Sequence, residues 1–184
     1  ELARRKAKVM QVATAQFVKQ GYAATTLLDV ARGAGVAMRT LYQHFGDKEA
    51  LFTRVLFTRD QGVPLAPPKL SPDEGLVDSL MRIARYACDS TFHPATADIT
   101  RLAVAESTRF PVMIRKLISA SHAGLRSNVQ AMLEELVARG LLREDDMHAC
   151  AYQFIDLVLG DLPLLVISGG APKVPTDDLL REKV

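Results

Sequence analysis

GVAMRTLYQHFGDKEAL, residues 35–51, places a glycine turn, a short helix and the start of another helix within seventeen residues. Gly35 can take the positive φ that a sharp reversal needs. After it, Val36, Leu41 and Phe45 recur on one side of a helix, while Met38, Arg39, Tyr42 and Gln43 point elsewhere. So short a helix buries too little apolar surface to be explained by packing alone. Its outer face offers Arg39, Thr40, Tyr42 and His44 to whatever lies outside. Asp47 is a good N-cap for the helix that begins at Lys48.

Working outward, Thr26 and Asp29 have the spacing of a reciprocal cap and open a short helix over Leu27, Leu28, Val30 and Ala31 that ends near Ala34. Upstream, Val9, Val12, Ala13 and Phe17 follow the 3.6-residue period. They predict a first helix from Arg4 to Gln20, with Gly21 as its left-handed end. Two short helices joined by a tight glycine turn form a helix-turn-helix, whose second helix lies in the DNA major groove. The alternative is an ordinary helical hairpin inside a bundle.

Charge is distributed unevenly. Residues 1–60 carry ten Lys/Arg and five Asp/Glu, a net +5, whereas residues 61–184 carry thirteen and sixteen, a net −3. A basic leading module on an acidic body suits a polyanion partner for the first part, although a solvated helix face is the plainer explanation. The 48% apolar content of the 184 residues is enough for a real core. Cys88 and Cys150 lie far apart in apolar surroundings, as buried thiols in a reducing cytoplasm do. ELARRKAK, the first eight residues, is not a signal peptide, and Gln153, Asp156, Asp161 and Pro163 interrupt the apolar run 149–168 too often for a membrane span.

GVPLAPPKLSP, residues 62–72, contains four prolines and carries no helix, so a boundary is expected there. The division is then a DNA-binding domain at 1–61, a Pro-rich connector at 62–72 and a helical domain at 73–184. In the last of these, Ser71-Pro72-Asp73-Glu74 is expected to open a helix running to Thr91. Further helices are expected at 96–108, from Pro111 to Gly140 along an inward stripe through Ile118 and Ser121, and over 145–167. A capped helix beginning at Thr176 is expected to continue past Val184. There is no internal repeat and no convincing strand, which makes the class all-α.

AxxxFVKQGYAATTLLDVARGAGVAMRTLYQHFGDKEAL, residues 13–51, resembles the TetR/AcrR family of bacterial one-component regulators. The resemblance lies in the Gly-Tyr turn, the paired threonines, the Ala-Gly-Val turn, Leu-Tyr-x-x-Phe and the Lys-Glu-x-Leu helix start. Arg109-Phe110-Pro111 and the Gly-Leu-Leu turn at 140–142 are similar to family phrases in the remainder. It implies an N-terminal three-helix head that binds a palindromic operator as a homodimer, and a C-terminal helical domain for ligand binding and dimerisation. By this resemblance Thr25 and Thr26 contact phosphate at the start of the second helix, Tyr42 and Lys48 touch the DNA backbone, and His44 is a further phosphate partner. Ala37, Met38, Arg39 and Thr40 are the base readers. Arg39 leads for specificity because a guanidinium bonds guanine O6 and N7 together, with a plain phosphate clamp as the alternative. Ala37 stands where many members have a capping Ser or Thr, so a cap or phosphate bond is missing.

For the second domain the resemblance implies a cavity for a small apolar or aromatic molecule. Met81, Cys88, Phe92, Leu102, Phe110, Ile114 and Tyr152 are its candidate lining, with Arg85, Glu106, His122 and Asp156 as polar anchors. A dimer interface is expected on Phe154, Leu157, Val158, Leu162 and Leu165. A helix buried inside a monomer is the alternative there. No HExxH, GxSxG, CxxC, P-loop or dinucleotide motif occurs, so neither an enzyme nor a cofactor is expected. The leading expectation is a cytoplasmic, ligand-released repressor; the alternatives are a DNA-organising protein of the same fold without a ligand, and a helical enzyme.

Overall fold

The computed structural model describes residues 1–57, 66–160, 162–168 and 175–184; the side chains at positions 162, 165 and 166 lie outside the description. The described residues form ten α-helices and no strand, so the chain is all-α. They fall into two compact units. The first comprises Glu1–Gly62 together with Asp98–Leu117, the second Val63–Ala97 with Ile118–Val184. The sequence suggests a single cut at 62–72; instead, a segment from the middle of the chain packs with the N-terminal helices.

In the first unit, α1 (Leu2–Ala24), α2 (Leu27–Ala34), α3 (Met38–Phe45) and α4 (Lys48–Phe57) surround a core of Val9, Ala13, Phe17, Val30, Leu41, Leu51, Phe52 and Val55. Gly21 interrupts the helical path of α1 with φ 76 and ψ 175, close to the expected helix end. Leu102, Ala103 and Ile114, from the 98–117 segment, are buried in this same core. Phe110 stands edge-on to Tyr22 with ring centroids 4.8 Å apart, and Tyr22 stands edge-on to Phe52 at 5.0 Å. Such aromatic pairs contribute about 0.5–1.5 kcal/mol beyond area burial.

The second unit contains α5 (Leu76–Phe92), the start of α6 (Pro94–Ala105), most of α7 (Pro111–Ala138), α8 (Met147–Leu159), α9 (Leu162–Ile167) and α10 (Asp177–Lys183). One core cluster gathers Ala84, Cys88, Phe92, Val158 and Leu180, and another Ile83, Tyr86, Val129, Leu133, Leu136 and Ala151.

Several boundaries differ from those expected. α5 begins at Leu76, after Ser71-Pro72-Asp73-Glu74. The Glu74 carboxylate is taken by the Ser71 N–H and by Arg82, so these residues form a turn before the helix. α6 begins at Pro94, ahead of the expected residue 96, as the missing proline N–H is harmless in a first turn. The helix expected over 145–167 breaks at Gly160, φ 52 and ψ −129. Pro163, which has no N–H to give to the preceding turn, follows in α9. The inward stripe of α7 is also discontinuous: Ile118 and Ser121 are exposed, Ile114 faces the first unit's core, and Val129 to Leu136 face the second's.

Candidate nucleic-acid interface

The turn between α2 and α3 is fixed by backbone bonds. Gly35 adopts φ 66 and ψ 35, its N–H donates to the Arg32 carbonyl at 3.2 Å, and the Val36 N–H donates to the Ala31 carbonyl at 3.0 Å. This pair of bonds closes a helix end and re-aims the chain within two residues. α3 is then held by its inward side chains Leu41, fully buried, and Phe45. The opposite face carries Arg39, Tyr42 and Gln43, all exposed; Met38, Thr40 and His44 are half-buried at its edges and Ala37 is exposed at its start. No side chain caps α3 at Ala37, as the sequence implies. The first N–H groups of α3 therefore have no capping oxygen at Ala37 and suit an anion.

The paired threonines have different roles. Thr26 is exposed and caps α2, its Oγ1 accepting the Asp29 N–H at 3.1 Å and donating to Asp29 Oδ2 at 2.6 Å. The reciprocal half of the expected cap, from the Asp29 side chain to a backbone N–H, is replaced by this hydroxyl–carboxylate bond. Thr25 is buried, 1% exposed. Its hydroxyl donates to the Gly21 carbonyl at 2.8 Å, so it locks the turn from inside and does not present to phosphate as expected.

Lys48 is half-buried. Its Nζ donates to the Ala23 carbonyl at 3.1 Å and lies 4.5 Å from the Tyr22 ring centre. Burial, followed by the nearby Arg109 charge, lowers its pKa from the ordinary lysine value. One N–H is committed to the fold, leaving the others for a phosphate. Around the same ring, Arg109 lies 4.8 Å from the Tyr22 centre, and Glu106 Oε1 accepts the Tyr22 N–H at 2.8 Å.

These contacts bear on the residues expected to line a cavity, which the fold places in different surroundings. Leu102, Phe110 and Ile114 belong to the first unit's core, and Glu106 is bound to its Gly-Tyr turn. His122, Tyr152 and Asp156 are exposed, with Arg126 stacked 5.2 Å from the Tyr152 ring centre. Cys88 and Phe92 are buried in packed core, and burial pushes the Cys88 thiol up to about 11. Only Met81 and Arg85 of the candidate set line an open groove of about 650 Å³ on α5 and α10. Its walls are largely charged: Glu74 with Arg82, Arg85 with Asp177, and Arg181 with Asp78 at 3.6 Å form ion pairs along it. Tyr86 supplies aromatic surface there, its hydroxyl accepting from Asn128 at 2.7 Å.

Of the expected dimer residues, Leu157 is 56% exposed and Phe154 half-buried, but Val158 is fully buried and faces its own unit's core. The Leu162 and Leu165 side chains lie outside the described residues. No helix among the described residues is long and apolar enough to cross a membrane.

Sequence reasoning missed the clamp of Glu106 and Arg109 on Tyr22. Its one signal, the Arg109-Phe110-Pro111 phrase, carries no indication of its distant partner.

Residues 9–55 match the family profile of bacterial regulatory proteins of the tetR family, and residues 78–184, more than half of the chain, match that of the C-terminal domain of AefR-like transcriptional repressors. HbdR of Aromatoleum sp. (strain CIB), an HTH-type transcriptional regulator, is 27% identical over 83% of this chain and 66% of its own length. The chain spans less than two thirds of the curated relatives it first matches, and as little as 36%. The solved structure of the flavonoid-responsive regulator FrrA superposes with TM-score 0.77 at 32% identity, covering 98% of this chain and 91% of that one. A TetR-family crystal structure from Mesorhizobium loti MAFF303099 shares the fold at TM-score 0.81 and 22% identity, covering 100% and 92%. The chain belongs to the tetR family of bacterial regulatory proteins, with a helix-turn-helix head followed by a helical C-terminal domain.

Proposed function

We propose that this chain is a cytoplasmic transcriptional repressor that binds an operator as a homodimer and releases it when a small molecule occupies its C-terminal domain. The observation that carries this reading is α3: a helix anchored by Leu41 and Phe45 whose free face holds Arg39, Tyr42 and Gln43. A helix so mounted enters a major groove with its front residues on base edges. Two copies are needed because half-sites lie about one helical turn apart. The exposed Leu157 on α8 is the surface through which the copies would meet.

For the effector, the similarity to FrrA, named as flavonoid-responsive, favours an aromatic molecule. The groove on α5 suits one that carries hydroxyl groups, because Met81 and Tyr86 offer apolar contact while the ion pairs Arg82–Glu74 and Arg85–Asp177 line its walls with polar groups. Effector and operator would be coupled by about 1–3 kcal/mol, the usual range between linked sites.

The test is fluorescence anisotropy on DNA from immediately upstream of the chain's own gene, against random competitor at physiological salt. Saturable binding by two subunits that survives competitor, and is weakened by members of a flavonoid and phenol panel, is the expected result. Binding no tighter than to random DNA would overturn sequence-specific repression at that site. Retained operator affinity with an effector demonstrably bound would overturn the release mechanism.

A further inference from the structure

We propose that Arg5 and Lys6, on the first turns of α1, form a second DNA contact beside α3 and hold backbone phosphates at the rim of the groove that α3 enters. The inference rests on the DNA-binding reading above and assigns residues that the helix-turn-helix itself does not include.

Geometry supports it first. Leu2, Arg5, Lys6 and Val9 share one face of α1, at the spacing that stacks side chains along a helix. Val9, 2% exposed, anchors that face in the core. The same four residues border one shallow depression with Thr40 and His44 of α3. Arg5 and Lys6 are exposed at the edge of that depression, beside Thr40 and His44. The major groove is about 12 Å wide. Cations that border the same depression as Thr40 and His44 of α3 therefore fall beside the phosphates that flank it.

Charge is the second, independent observation. Between Glu1 and Asp29 there is no carboxylate, whereas Arg4, Arg5, Lys6, Lys8 and Lys19 are all cations. A merely solvated helix intersperses both signs. Among the described residues Arg5 pairs with Glu1, at 2.5 Å; with side chains 59% and 79% exposed, that pair is weak and screened by salt. Phosphate can displace it at little cost. α3, by comparison, brings only Arg39 as a permanent cation. Because these charges stand on a formed helix, little ordering is needed when DNA arrives. Such contacts carry no sequence information; they raise affinity for all duplexes and fix the head's orientation.

The experiment is the salt dependence of binding to a random-sequence duplex of about 30 base pairs, where each lost phosphate contact removes about 0.9 from the log–log slope. Arg5→Gln and Lys6→Gln are each expected to make the slope shallower by about 0.9 per bound subunit, and the double variant by about twice that. Lys19→Gln, about 20 Å away at the other end of α1, is expected to leave it unchanged. Circular dichroism checks that each variant stays helical. An unchanged slope in the double variant, or an equal loss in Lys19→Gln, overturns the proposal while leaving the DNA-binding reading intact. Failure of the unaltered chain to bind any duplex at low salt overturns both.

Discussion

Glu106 Oε1 accepts the backbone N–H of Tyr22 at 2.8 Å, joining two residues 84 positions apart in the sequence. The bond fastens the α6–α7 turn to the turn that ends α1, where Gly21 has φ 76 and leaves the Tyr22 N–H outside the helix ladder. Glu106→Ala should therefore destabilise the first unit by about 1–3 kcal/mol, the cost of orphaning a partly buried donor facing a charged acceptor. Glu106→Gln, which retains an acceptor oxygen, should recover most of it. Urea unfolding followed by circular dichroism checks this, and an unshifted midpoint for Glu106→Ala would leave the bond without thermodynamic weight.

Arg39 stands exposed at the front of α3, free of the core that fixes Leu41. Arg39→Ala is expected to relax base preference at one or two operator positions, losing about 1–3 kcal/mol of discrimination. Competition with single-base operator variants reads this directly. Equal losses on operator and random DNA would make Arg39 a phosphate clamp.

The Cys88 thiol, fully buried and raised to about 11, should resist alkylation in the folded chain, whereas half-buried Cys150 is sterically more open. At mildly alkaline pH a thiol-reactive dye should label Cys150 first and Cys88 only on unfolding. Since the folded pKa lies above the unfolded one, the thiol's contribution to stability is complete below the unfolded value of about 8.5 and is lost as pH rises through about 11. Equal native labelling rates would contradict the packing around Cys88.

On α8, Leu157 and Val158 are adjacent but face opposite ways, 56% and 0% exposed. Leu157→Glu should give folded monomers in sedimentation velocity, whereas Val158→Glu should unfold the second unit by burying an unpaired charge. A dimer unaffected by Leu157→Glu would place the interface elsewhere.

The head was legible because its signals are local. Gly35 punctuates, Thr26 caps, and the apolar period of Leu41 and Phe45 spans a single helix. Even so, the paired threonines looked equivalent, and only the bond from Thr25 to the Gly21 carbonyl separates an inward lock from an outward cap. What failed depended on long-range packing. The apolar run after Asp146 reads as one helix because nothing local weighs Gly160 against its continuous hydrophobic pattern. Ile114 and Met132 share one periodic stripe yet serve different cores, since a stripe records that a side is covered and not by what. The expected ligand set rests on the same kind of signal: Leu102 and Phe110 are apolar, as pocket linings are, but both lie in the first unit's core, where the Phe110 ring meets Tyr22 and Phe52.

The inclusion of Asp98–Leu117 in the first unit changes how such a regulator can be taken apart. A chimera made by splicing at the Pro-rich connector, to give this head a different C-terminal domain, would bring a foreign turn against Tyr22 and Phe52 in place of Phe110. A graft that preserves the head has to transplant two separate stretches, so the minimal exchangeable DNA-reading part is discontinuous in the gene.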